Sequence, residues 1–229
     1  HKLPCTLVIH GEKTRFYDEG GNAKLMRDAK VKISFTDAND ISDAMDAAMH
    51  DYAKSGCQPY YLRGGGHTLD GGLAYVNAVD ELLGKVQTVP DYIFLASGTG
   101  STQAGIMAGL TKNKVKCKVI GISVARERKR AESIVTNSYQ ELCKHLRVDS
   151  FQQKTTTVLD DYLCGGYEKF NNSIKEISNN SISKFGFSLD TTYTAKAFFG
   201  MLDHIKENKL EGNLFFWHTG GFLNYLANT

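Results

Sequence analysis

Apolar positions along this chain follow two rhythms that alternate from one end to the other. Short stretches that are unbroken or of period 2 give way to longer ones with apolar residues every third or fourth position. The short stretches predict strands at Thr6–Ile9, Val31–Phe35, Tyr60–Leu62, Tyr92–Ala96, Val115–Val124, Thr155–Leu159 and Leu214–Trp217. Tyr92–Ala96 has no charged or amide position, as expected of a strand covered on both faces. Among the longer stretches, Ile41, Ala44, Met45, Ala48, Met49 and Tyr52 form one helical stripe, with Asn39 and Asp40 as cap candidates. Further stripes run through Leu73–Leu83, Gln103–Leu110, Ile134–Leu146, Phe170–Ile177 and Ala197–Ile205. A polar run of asparagine and serine follows Ile177. Strand–helix alternation of this kind predicts an α/β fold: three layers, α/β/α, around mainly parallel sheets. The Gly64-Gly65-Gly66 run is the best candidate for a domain boundary, dividing residues 1–63 from 64–229.

Composition narrows the function classes. The 229 residues include 27 basic and 25 acidic side chains, a balance that offers no electrostatic footprint for nucleic acid. No apolar run is long enough to span a bilayer, and no signal-peptide pattern opens the chain. The five cysteines, Cys5, Cys57, Cys117, Cys143 and Cys164, form no C-x-x-C pair, which predicts free thiols in a reducing, cytoplasmic setting. The seven histidines show no H-x-x-x-H spacing, so no metal site is expected. There is no G-x-S-x-G. The chain opens at His1 and runs almost at once into a strand, which suggests a fragment, a processed product or a truncated form.

Ligands of parallel sheets bind at the carboxyl ends of strands, so candidate chemistry is sought there. Ser97-Gly98-Thr99-Gly100-Ser101-Thr102 follows a buried strand and opens a helix. Its glycines admit close backbone approach, and its N–H groups and hydroxyls suit a phosphate. It is not a Walker A loop, and Gln103 breaks G-x-G-x-x-G, so a phosphate ester on an organic cofactor fits best. A well-capped strand–turn–helix connection is the alternative. Trp217-His218-Thr219-Gly220-Gly221 also follows a strand; Thr219 is either a ligand-binding hydroxyl or a helix cap. In Asp190-Thr191-Thr192-Tyr193-Thr194-Ala195-Lys196, Tyr193 is a candidate acid, base or neutral donor. Lys196 reads as a solvated helix lysine rather than a catalytic amine. Tyr167, after Gly165 and Gly166, reads singly as structural.

In order, these segments resemble one family, the D-cysteine desulfhydrase and 1-aminocyclopropane-1-carboxylate (ACC) deaminase group of pyridoxal-phosphate (PLP) enzymes of fold type II. The likeness includes Leu7–Gly11 and Glu19-Gly20-Gly21-Asn22, then Gly64–Gly72 leading into Leu73-Ala74-Tyr75-Val76. It continues through Ser97–Thr102 with Gln103-Ala104-Gly105, Gly166-Tyr167, Asp190–Lys196 and His218–Gly221. The resemblance implies that Ser97, Gly98, Thr99, Gly100, Ser101 and Thr102 hold the PLP phosphate. It places Tyr167 and Tyr193 at the substrate, and Thr194 and Thr219 near the pyridine nitrogen. Residues 1–63 would be the remainder of the small domain, and 64–229 the C-terminal part of the cofactor domain. A homodimer acting on a small amino acid is implied, with no nucleic acid or membrane partner.

The family's ACC deaminases typically carry glutamate after the second tyrosine, where this chain has Thr194. A hydroxyl cannot supply that charge, so the electron sink is weaker and β-elimination from D-cysteine, giving pyruvate, sulfide and ammonia, is favoured. ACC deaminase activity is the first alternative. Two further departures from the family matter. Glu168 stands where the family often has glycine, and the segment bearing the cofactor-linking lysine lies before the region resembled. Lys24, in Gly20-Gly21-Asn22-Ala23-Lys24, corresponds to the later Gly-Asn loop and is read as an exposed lysine. An N-terminal fragment of the same gene product would then accompany the chain. A catalytically inactive fragment or a non-catalytic homologue is the other alternative.

Overall fold

The structure is a computed structural model that describes residues 3–11, 13–18, 20–150 and 155–227. Glu19, in the Gly-Asn segment quoted above, lies outside the described residues. The chain divides into two compact units, one ending at Leu62, with which the chain from Leu226 groups, and one spanning Arg63–Tyr225.

The first unit contains β1 (Thr6–His10), α1 (Lys13–Asp18), α2 (Gly21–Asp28), β2 (Lys32–Thr36) and α3 (Ile41–Lys54). The two strands pair in parallel, with Thr6 opposite Lys32 and His10 opposite Thr36. The α3 helix packs on β1 through the stripe its sequence displays, and Tyr52 Oη lies 3.0 Å from Thr6 Oγ1. Phe16 is buried and meets Phe35 edge to face at 5.6 Å.

The second unit holds α4 (Leu69–Lys85), β3 (Tyr92–Ser97), α5 (Ser101–Lys112), β4 (Lys118–Ser123), α6 (Arg128–Leu146), β5 (Thr157–Leu159), α7 (Asn172–Asn179), α8 (Ser181–Phe185), α9 (Thr194–Asn208) and β6 (Leu214–Trp217). Its end leads into α10 (Phe222–Ala227). Four strands pair in parallel in the order β5-β4-β3-β6.

Because strand side chains alternate between faces, β3 feeds two cores. Ile93 and Leu95 join Val119 against α4, α5 and α6, where Val76, Ile106, Leu110 and Val135 are buried. Phe94 and Ala96 join Ile120 and Ile122 against α7 and α9, where Ile174, Ala197 and Phe198 lie. This is the three-layer α/β/α arrangement expected of the alternating sequence.

One glycine permits the close approach of α5 to the sheet. A Cβ on Gly121 in β4 would sit 2.1 Å from Gln103 Oε1 and 2.9 Å from Ser97 Cβ. Gln103 is fully buried and its Nε2 donates to Thr157 O at 2.9 Å, so it has no room to retreat. Gly121→Ala is therefore expected to destabilise the protein by about 2 kcal/mol through overpacking, measured as a lowered urea midpoint.

The structure differs from the sequence reading in several elements. Tyr60–Leu62 is not a strand; it pairs with no other strand, and Tyr60 and Leu62 stand well exposed. The strand expected over Val115–Val124 begins only at Lys118. Lys114 takes a left-handed φ of 56° and Val115 N–H bonds back to Leu110 O, so the first residues belong to the helix exit. The α1, α2 and α8 helices are too short to show a periodic stripe, and α8 lies in the stretch read only as polar.

Candidate active site

All four strands of the larger sheet end at one edge, because they are parallel. The loops beginning at Ser97, Val124, Asp160 and His218 therefore leave from that edge, where the field of a parallel sheet and its crossovers favours ligand binding.

The Ser97–Thr102 loop has the backbone features on which an anion can be held. Gly100 is the N-cap of α5 in a left-handed conformation, φ 91°, and no side chain caps the helix. A Cβ there would press to 2.9 Å from Val135 Cγ2, so glycine is needed both for the turn and for the fit. The first N–H groups of a helix have no intrahelical acceptor, and the first turn of α5 carries no acidic residue to compete. Gly98 has only ordinary contacts around its Cβ position, with Tyr193 Cε1 at 4.0 Å. That backbone is thus open to close approach and borders the tyrosine.

Surrounding side chains fix the loop. The Arg126 guanidinium donates to Gly98 O, and Val124 N–H donates to Ser97 O at 3.1 Å. The Thr99 side chain packs on Gly65, where a Cβ would meet it at 2.7 Å. Ser101 Oγ lies 2.7 Å from His67 Nδ1. Burial and the nearby Arg126 and Arg63 hold His67 below the usual histidine range, so the ring is neutral near pH 7. An uncapped helix end, open glycine backbone, hydroxyls and guanidinium form the donor set that a phosphate ester requires, and the loop fits that part of PLP.

The second cluster is the N-terminus of α9, and here the helix end is already filled. Asp190 is 1% exposed. Its Oδ2 accepts from Thr192 N–H at 3.1 Å and Tyr193 N–H at 3.0 Å, and its Oδ1 from Thr194 N–H at 2.9 Å and Thr194 Oγ1–H at 2.7 Å. A buried carboxylate at a helix N-terminus is favoured by both the donors and the dipole. The chain is thereby folded so that Tyr193 projects towards Gly98.

Tyr193 meets Tyr167 from the loop after β5. Their hydroxyls are hydrogen-bonded, and the rings stand edge to face at 5.8 Å and 71°. Partial burial, then the hydroxyl bond to Tyr193, pushes the Tyr167 phenol above the usual tyrosine range. It is therefore neutral at physiological pH; the side chain is half exposed, and either hydroxyl can be the donor of the bond. Read singly, Tyr167 looked structural; the fold brings it to Tyr193.

The two threonines differ. Thr194 is buried; its hydroxyl donates to Asp190 Oδ1 and accepts from Asp190 N–H at 2.8 Å. Its one proton is committed, so it has none for a pyridine nitrogen in this arrangement. Thr219 is exposed, just beyond β6. His218 anchors that turn, with Nε2 bonded to Ser188 O at 2.8 Å and Nδ1 accepting from Gly220 N–H at 3.2 Å. A Cβ on Gly221 would lie 2.4 Å from Asp190 Oδ1, so the turn abuts the Asp190 cluster.

One side chain overturns its sequence reading. Lys196 is fully buried rather than solvated, and its Nζ donates to Leu163 O and Gly166 O, each at 2.9 Å. Spacing misled because α9 is covered on the face that a free helix would present to water. Lys24 is exposed and pairs with Asp28 at 2.5 Å on its own helix. Sequence reasoning also gave no role to Asp190, His67 or Arg126. Only Asp190 left a signal, an acidic residue just before a helix start.

Glu168, the departure from glycine, adopts a φ of 60°. A residue with a Cβ is disfavoured there by about 1 kcal/mol. Glu168→Gly is expected to raise stability by about that much, seen as a higher urea midpoint with an unchanged slope.

Comparison with known proteins agrees with this geometry. The sequence profile of the family described as pyridoxal-phosphate dependent enzyme matches residues 1–220. A Pyrococcus horikoshii protein provisionally named 1-aminocyclopropane-1-carboxylate deaminase is 30% identical over 222 residues, 96% of this chain and 66% of that protein. One of the same name from Pyrococcus furiosus is 31% identical over 225 residues, 94% of this chain and 65% of that protein. The chain thus spans just under two thirds of the length of these relatives. A solved structure of an ACC deaminase homologue superposes with a TM-score of 0.85 at 29% identity, over 97% of this chain and 67% of that one. A hydrogen sulfide-producing enzyme from Fusobacterium nucleatum shares the fold at 15% identity, with a TM-score of 0.58 over 92% of this chain and 67% of that one. With its parallel sheet, open anion loop and matched profile, the chain belongs to the family of pyridoxal-phosphate dependent enzymes.

Proposed function

We propose that the protein is a PLP-dependent lyase of small amino acids that eliminates sulfide from D-cysteine, giving pyruvate and ammonia. The observation that carries this reading is the commitment of Thr194 to Asp190. The residue after Tyr193 is no acid, and its hydroxyl proton is taken, so strong protonation of the pyridine nitrogen has no source in this helix end. A weaker electron sink suits a substrate whose own leaving group accepts the electron pair.

When bound, PLP stabilises the negative charge that develops at the substrate Cα. The chain's residues do the rest. The Ser97–Thr102 backbone and the α5 N-terminus bind the phosphate and fix its position. Thr219 offers an exposed hydroxyl to the ring nitrogen. Tyr193, held by Asp190 and hydrogen-bonded to Tyr167, orients the substrate and exchanges protons at the reacting carbon or the departing sulfur. Neither Lys24, in its surface ion pair, nor Lys196, on two carbonyls, is assigned as the cofactor-linking lysine.

The second reading is ACC deaminase, supported by the names of the Pyrococcus relatives. Assaying the PLP-loaded protein with each compound separates the two. Pyruvate and sulfide from D-cysteine, with little α-ketobutyrate from ACC, is the expected result; the reverse ratio establishes the second reading. Turnover of neither, with reversible PLP binding and no adduct trapped by borohydride, would favour the third reading, a catalytically inactive fragment or a non-catalytic homologue.

A further inference from the structure

The loop that carries Tyr167 has an unusual backbone. Cys164, Gly165 and Gly166 take φ values of 54°, 93° and 130° in succession, and Glu168 follows at 60°. Only glycine visits this region freely, so the segment needs an external hold to keep one shape. Its internal bonds are two short turns, Gly166 N–H to Leu163 O at 3.0 Å and Lys169 N–H to Gly166 O at 3.2 Å. At its start, Tyr162 Oη donates to Asp203 Oδ2 on α9 at 2.8 Å.

Lys196 reaches the middle of this segment from α9. Its two acceptors, Leu163 O and Gly166 O, are the same carbonyls that close the two turns. They already have backbone partners, so the ammonium is not there to satisfy them. No ion pair of Lys196 is found among the described residues. A buried ammonium without a carboxylate is expensive, and a methionine would fill the same volume without that cost. What methionine could not do at this position is tie the loop to the helix. Lys196 lies three residues after Tyr193, within one helical turn, and Gly166 immediately precedes Tyr167. One helix end therefore holds Tyr193 directly and Tyr167 through Lys196.

We infer that Lys196 is a positioning residue that pins the Leu163–Gly166 carbonyls and so sets Tyr167 against Tyr193. The functional weight of this tether rests on the proposed role of the tyrosine pair, but the tether can be tested without turnover. The protein is labelled with 3-fluorotyrosine, and Tyr167→Phe and Tyr193→Phe assign the two fluorine signals. In the unaltered protein the Tyr167 signal is expected to titrate above free 3-fluorotyrosine, whose ortho fluorine makes it a stronger acid than tyrosine. In Lys196→Met the contact with Tyr193 should be lost, so the signal should move to the shift of free 3-fluorotyrosine and titrate with it, while the circular dichroism spectrum is retained. A folded Lys196→Met protein with the Tyr167 signal and titration unchanged would overturn the inference, even if its thermal stability fell. Should Lys196→Met fail to fold, the Lys196 15N signal of the unaltered protein decides. Slow hydrogen exchange with through-bond coupling to the Leu163 and Gly166 carbonyls upholds the tether; exchange as fast as at surface lysines refutes it. Lyase turnover, where present, adds a separate readout. Lys196→Met should lower kcat at least tenfold with a smaller change in KM, whereas a failed lyase assay leaves the fluorine result standing.

Discussion

Replacing Tyr193 by Phe is expected to lower kcat by about 100-fold or more while changing PLP affinity less than threefold. The size follows from the usual contribution of a positioned acid or base, about 10²–10⁴. The split follows from the geometry. The proposed phosphate donors belong to Ser97–Thr102 and do not include the tyrosine, so the cofactor's main anchor should survive the loss of one hydroxyl. The ring is kept in Phe, so its packing beside Gly98 and its edge-to-face contact with Tyr167 are retained. Only the proton-carrying group is removed. PLP affinity by fluorescence titration, set beside steady-state kinetics, checks both halves. Equal losses in both would remove Tyr193 from the chemistry and make it a cofactor-binding residue.

The largest effect on stability is expected at Asp190. Its two oxygens each accept two hydrogen bonds, from three backbone N–H groups and one hydroxyl, in a site that is 1% exposed. Asp190→Ala leaves those donors buried and uncapped, and hydrogen bonds to a charged group contribute about 1.5–3 kcal/mol each. A destabilisation of about 3 kcal/mol is expected in urea unfolding. Asp190→Asn should be almost as damaging despite its matched shape. An amide has one oxygen, and its NH₂ would face either the Thr192 and Tyr193 N–H groups or the two donors of Thr194. A loss below about 1 kcal/mol for both variants would mean that the cap is not what holds this helix end.

Much of the architecture was legible because burial writes itself into side-chain order. The unbroken apolar run Tyr92–Ala96 could only be a strand covered on both faces, and it is the strand whose two faces feed both cores. The strand–turn–helix at Ser97–Thr102 was legible because glycine and hydroxyl residues directly after an apolar run mark the turn that opens a helix. Tyr60–Leu62 failed because a three-residue apolar run says nothing about whether another strand lies beside it. The short helices failed because one or two turns show no period.

The site was legible in its parts but not in its connections. Tyr193 could be named from the motif, yet its partner lies 26 residues away and its support comes from Asp190, a residue to which the sequence reading gave no role. Lys196 was misread for the same reason: spacing along a helix tells which residues share a face, but not whether that face meets water or another loop.

The sequence alone therefore determined the α/β class, the parallel sheet and the place of the glycine-hydroxyl turn between β3 and α5, since these follow from local periodicity and backbone freedom. Only the tertiary structure decided which hydroxyl is committed, which tyrosines meet and which lysine is buried. Those outcomes depend on distances between residues far apart in the chain, and local chemistry does not encode such distances until the layers pack.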